Sequence, residues 1–123
     1  MRGRLVALGA ALAAAAWLLR RPPLARYVID GPSMEPAFRA GDRVLAERVT
    51  WLLRPPRAGD IAVLRDPEMP RRVLIKRIAE AAGDPRRPQS FVVRGDNSAA
   101  SRDSRDFGPV PRSALLARVW GRY

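Results

Sequence analysis

Arg72-Val73-Leu74-Ile75-Lys76-Arg77-Ile78-Ala79 is rich in β-branched and aliphatic residues and carries no turn former. It reads as a strand. Alternation then puts Leu74, Lys76 and Ile78 on one face and Val73, Ile75 and Arg77 on the other. Similar short runs flank it at Tyr27–Asp30, Arg43–Val49, Asp60–Arg65, Ser90–Arg94 and Leu115–Trp120, separated by Gly, Pro and Asp. Closely spaced runs with turn signals between them predict a mostly-β domain over residues 27–123. One short helical turn is expected at Pro111–Leu116, with proline near its start.

Lys76 is conspicuous for a second reason. The chain has 123 residues, 23 of them basic against 12 acidic, and Lys76 is the only lysine beside 22 arginines. Histidine and cysteine are absent. A Ser-His-Asp triad and a Cys-His pair are therefore excluded. So is a zinc site of the usual His/Cys type, and no metal or cofactor is expected. A side-chain acid or base must be a carboxylate, one of two tyrosines, or Lys76. The net charge of +11 suits nucleic acid or an anionic membrane. Against nucleic acid, the charge is spread along the chain, with little aromatic interleaving for stacking on bases. A basic nucleic-acid-binding β-domain thus stands as an alternative of another class, and no nucleic acid is expected.

Residues 5–19 form an uncharged apolar run, with Arg2 and Arg4 before it and Arg20 and Arg21 after it. As a helix it would extend roughly 22 Å, short of the roughly 30 Å hydrocarbon core. A cleavable leader, a short membrane anchor and an Ala-rich soluble helix all fit. The anchor is favoured, because arginines at both ends can snorkel. Arg20 to Arg26, with Pro22 and Pro23, reads as a linker, so that residues 1–26 form an anchor segment with its linker.

Three short stretches could carry chemistry. On a strand, Lys76 is flanked by aliphatic side chains on its own face. Desolvation there would lower its pKa towards a neutral amine able to act as a base, which arginine cannot do. The bland alternative is a surface lysine. Ser33, in Asp30-Gly31-Pro32-Ser33-Met34-Glu35-Pro36, follows a predicted strand in a tight turn that would present its hydroxyl and free backbone N–H groups. An ordinary turn serine is the alternative. If Ser101 to Arg105 is extended, Ser101, Asp103 and Arg105 face one way, setting a hydroxyl beside an ion pair; a solvated polar loop is the alternative.

Taken in order, these stretches resemble the type I signal peptidases, the serine–lysine leader peptidases. The resemblance rests on Ser33-Met34-Glu35-Pro36, Gly41-Asp42-Arg43-Val44, Gly59-Asp60-Ile61, Lys76-Arg77 with Gly83-Asp84, Gly95-Asp96-Asn97, and Ser101-Arg102-Asp103-Ser104-Arg105 with Phe107-Gly108. It covers nearly everything after the linker. It implies a compact β-barrel or sandwich core behind an N-terminal apolar helix. Ser33 would be the nucleophile, Lys76 the general base, and Ser101 the group orienting the lysine. Asp96 with Arg77 and Asp103 with Arg105 would be supporting ion pairs. Met34 would line the pocket, and the Ser33 N–H would form part of the oxyanion hole.

The implied substrate is a precursor protein or leader peptide with small residues at the first and third positions before the bond. The implied setting is a cell membrane, entered once through residues 5–19, with the catalytic domain outside the cytoplasm. The chain departs from the family in having Gly31 where some members place a second hydroxyl donor, and Ala37-Phe38 where Thr-Leu is usual. Glu80 and Ala82 stand where Gly and Pro are common, and Asp84 to Gln89 leaves no room for the extra β-domain of larger members. Its small size also resembles the maturation proteases of nickel-type superoxide dismutase, which would be cytoplasmic and act on one prosegment.

Overall fold

The computed structural model describes residues 2–20 and 23–123, the side chains of 17–20 excepted. Helix α1 (Arg2–Arg20) forms where alanine and leucine, both strong helix formers, dominate. Its described side chains are exposed. Among the described residues no helix is long and apolar enough to cross a membrane. The single-pass span expected over residues 5–19 is therefore not supported, in keeping with a run shorter than the hydrocarbon core.

The rest is a single antiparallel sheet of β1 (Leu24–Val28), β2 (Arg43–Glu47), β3 (Ile61–Arg65), β4 (Val73–Asp84), β5 (Arg87–Arg94), β6 (Val110–Pro111) and β7 (Leu115–Arg122). Its order is β1-β2-β7-β3-β4-β5-β6. It curls into a half-barrel with β1 and β6 at its edges, so a mostly-β fold is observed but not a closed barrel. β1 begins at Leu24, and the boundary drawn after residue 26 thus runs through a strand. β4 and β5 form one long hairpin with Asp84 opposite Arg87 and only two residues between them. β6, two residues long, is too short to leave a periodic signal.

Both faces of the sheet are covered. On β3, Val63 packs with Ile29, Met34, Phe38 and Val44, whereas Ala62 and Leu64 pack with Trp51, Ile78, Phe91 and Val93. This alternation follows from the two-residue period of a strand buried on both sides. Between β2 and β3 a short helix, α2 (Thr50–Leu53), follows the run expected as a strand at Arg43–Val49, of which Arg43–Glu47 is strand and Val49 the cap of the helix. Asp60 holds it in place. Its carboxylate accepts from Trp51 Nε1 at 3.0 Å and from both terminal nitrogens of Arg54 at 2.9 Å. Burial works to raise the Asp60 carboxyl, but these hydrogen bonds outweigh it and hold it below the ordinary range.

Candidate active site

Three segments meet beside the β4 strand. The first is the turn after β1, which carries Ser33. Gly31 takes a positive φ of 80°, a conformation side chains rarely adopt. Two bonds from Asn97 fasten the turn: its N–H donates to Ser33 O at 2.9 Å and its Nδ2 to Pro32 O at 3.1 Å. Among the described residues nothing accepts from the Ser33 N–H.

The second segment is β4 itself. Lys76 points inward and is only 4% exposed, next to buried Ile78 and half-buried Leu74. Burial is the main reason its amine is pushed below the ordinary lysine value. The Asp103 carboxylate works against this, and the nearby Arg102 and Arg105 add to it. Lys76 Nζ donates to Ser101 Oγ at 3.1 Å.

The third segment, from Gly95 to Arg105, holds that acceptor still. Ser101 Oγ donates to Asp103 Oδ2 at 2.8 Å, and the same carboxylate accepts from Gly95 N at 2.9 Å and from Arg105 Nε and a terminal nitrogen at 2.9 and 2.7 Å. Asp103 is fully buried. Burial alone would raise its carboxyl, yet the donors from Arg105, Gly95 and Ser101 hold it well below the usual carboxylate range. It is therefore charged at neutral pH. The extended reading of Ser101 to Arg105 does not hold, because Ser104–Phe107 forms a helical turn (α3) with Asp103 as its N-cap. Arg105 reaches Asp103 through that cap and not by strand alternation.

Arg77 and Asp96 form a second bidentate pair, both contacts 2.9 Å. It ties β4 to the loop bearing Asn97, and so indirectly to the Ser33 turn. Gly95 explains how closely the segments approach. A Cβ there would lie 2.2 Å from Ser101 Oγ and 2.6 Å from Ser33 O. The motif Gly95-Asp96-Asn97 was visible in the sequence, but the contacts of Gly95 and Asn97 were not. Arg102, with buried Asp66 and exposed Glu68 as partners, was likewise missed.

Ser33 and Lys76 line the same two small cavities. One, of about 110 Å³, is bordered by Tyr27–Asp30, Met34 and Arg72–Ile75. The other, of about 180 Å³, is bordered by Gly31, Pro32, Ala100 and Arg102. The first lies between two open backbone edges. β1 pairs only with β2, and β4 meets β5 only from Arg77 onward, so Val73–Lys76 has a partner strand on one side alone among the described residues.

The profile of the family described as signal peptidase, peptidase S26, matches residues 2–85. The chain belongs to this signal peptidase family. Among curated relatives, the mitochondrial ATP-independent inner membrane protease subunit 1b of Arabidopsis thaliana is 38% identical over 110 residues, 75% of this chain and 65% of the relative. The mitochondrial inner membrane protease subunit 1 of Homo sapiens is 30% identical, with 74% of this chain and 64% of the relative covered. A probable signal peptidase I-2 of Synechocystis is 29% identical over 80% of this chain and 62% of its own length. The chain thus spans less than two-thirds, 62–65%, of the length of these relatives.

Proposed function

We propose that this chain is a serine endopeptidase of leader peptides in which Ser33 is the nucleophile and Lys76 the general base. The observation that carries the reading is the buried, desolvated Lys76, hydrogen-bonded to Ser101 and lining the same cavities as Ser33. An extended substrate segment lies in the cleft between β1 and the start of β4 and pairs with their open edges. The cavity is small, with Val28, Ile29, Met34 and Leu74 among its walls, which suits alanine-sized side chains near the cut.

Neutral Lys76 takes the proton as Ser33 Oγ attacks the scissile carbonyl carbon. The Ser33 N–H stabilises the oxyanion. The C–N bond then breaks, the Lys76 ammonium protonates the leaving amine, and an ester to Ser33 remains. Water attacks that ester with Lys76 again as base. Ser101 and Asp103 orient the amine, and the Arg77–Asp96 and Asp103–Arg105 pairs hold the loop that bears them. Met34 packs beneath and keeps water from the lysine. Helix α1 holds the enzyme at a membrane surface, with the sheet domain outside the cytoplasm.

The test is incubation with a panel of precursors carrying small residues before the cut, including a nickel-type superoxide dismutase with its prosegment. Ser33→Ala and Lys76→Arg are each expected to lower cleavage by roughly 10⁴-fold or more with the fold intact. An active Lys76→Arg enzyme would refute the assignment, and cleavage of the dismutase prosegment alone would select the narrower substrate.

A further inference from the structure

A second, roomier cavity lies away from Ser33 and Lys76. It measures about 430 Å³ and opens between α2 and the turn of the β4–β5 hairpin. Trp51, Leu52 and Leu53 line one side, and Arg86, Arg87 and Arg112 another. Two properties set this groove apart. Its charge is uncompensated: Arg86 and Arg87 have no carboxylate partner among the described residues. Asp84, opposite Arg87 in the ladder, accepts the Arg86 backbone N–H. Arg112 lies 5.2 Å over the Trp51 ring and donates to Leu115 O. Two further carboxylates lie beside α2: Asp60 is taken up by Arg54 and Trp51, and Glu47 by Thr50 N and Arg118. Its rim is apolar: Leu52 is 57% exposed and Leu53 83%.

We propose that this groove docks on an anionic phospholipid surface, the arginines meeting headgroup phosphates while Leu52 and Leu53 enter the interface. A soluble phosphate would use the charge but leave the exposed leucines in water. A lipid surface satisfies both. Position supports the same occupant. Pro23, three residues past α1, accepts the Arg48 N–H at 3.0 Å, and Arg48 immediately precedes the turn that opens α2. The chain leaving the apolar helix therefore enters the domain beside this rim. α1 and α2 would give one surface two points of attachment, which a lone short helix lacks. The inference does not depend on the peptidase chemistry.

The chain has no cysteine, so Leu53→Cys takes a single polarity-sensitive fluorophore at an exposed position. The labelled full chain is titrated with phosphatidylcholine vesicles, with and without phosphatidylglycerol. Emission should shift to the blue only on the phosphatidylglycerol vesicles and weaken with added salt. Arg86→Gln with Arg87→Gln should raise the half-saturating lipid concentration about 30-fold. Cleavage of a soluble peptide and the urea midpoint should stay unchanged in that variant. Four results would overturn the proposal: an equal shift on neutral vesicles, no shift on either, reversal by millimolar inorganic phosphate, or a shift with single-stranded RNA in place of lipid.

Discussion

Adding one methyl group at Gly95 should disable the site while leaving most of the sheet in place. A Cβ there falls 2.2 Å from Ser101 Oγ, 2.6 Å from Ser101 Cβ and 2.6 Å from Ser33 O. Against the 3.4 Å at which ordinary contact begins, the shortfall is about 1.2 Å on the hydroxyl and about 0.8 Å on the carbonyl. Gly95, just past the end of β5, cannot simply recoil, because its N–H donates to buried Asp103. Rotating Ser101 would relieve its oxygen but not its Cβ, and would break the contacts to Lys76 and Asp103. Moving Ser33 O breaks its bond from Asn97. A displacement of about 1 Å between reacting groups costs about 10²-fold in rate. Crowding of this kind costs roughly 1–3 kcal/mol in stability. The assay is kcat/KM on a fluorogenic leader peptide, paired with urea unfolding of the same preparation. Gly121→Ala, where a Cβ meets nothing within 4 Å, is the control and should cleave normally. A folded Gly95→Ala enzyme with wild-type kcat/KM would refute the close three-segment geometry.

Four further expectations follow from the same geometry. Because the reactive form of Lys76 is the neutral amine and burial lowers its pKa, kcat/KM should rise with pH and level off below the ordinary lysine value of 10.5; a profile still rising at that value would exclude Lys76 as base. Ser101→Ala should lower kcat about 10- to 100-fold with little change in KM, since it loses orientation and not substrate contact, as steady-state kinetics would report. Asp103 has a folded-state pKa below its unfolded one, so its contribution is present above the unfolded value and is lost as pH falls through the folded one. Asp103→Asn should therefore cost roughly 2–4 kcal/mol at neutral pH and flatten the acid limb of a stability-versus-pH curve below the ordinary value of 3.8. Phe91→Ala, which empties a fully buried site, should lower stability by about 3–5 kcal/mol in urea unfolding.

Strand identity was legible where aliphatic and β-branched residues run together between turn formers, as at Ile61–Arg65 and in the first half of β4. It was not legible at β6, where two residues cannot show a period, or at α2, where Thr50-Trp51-Leu52-Leu53 continues the composition of a strand. What bends the chain there is distant: the Asp60 carboxylate draws in Trp51 and Arg54. The expected extension of Ser101–Arg105 failed for a related reason. Asp103 spends its lone pairs on the N–H of Arg105, and a residue that caps a helix is a better partner for that N–H than water.

Composition alone determined which acid–base chemistries were open to this protein. With no histidine or cysteine, and arginine unable to lose its proton, Lys76 was the one cationic side chain able to serve as a base. The ordered motifs were enough to indicate the family. Tertiary structure decided everything that depends on proximity. It buried Lys76, set Ser101 against it, and charged the pocket behind them with Asp103. It also let Gly95 and Asn97 clamp Ser33 from 62 and 64 positions along the chain. Desolvation and hydrogen-bond distance are properties of packed neighbours from separate strands, and no local pattern encodes them.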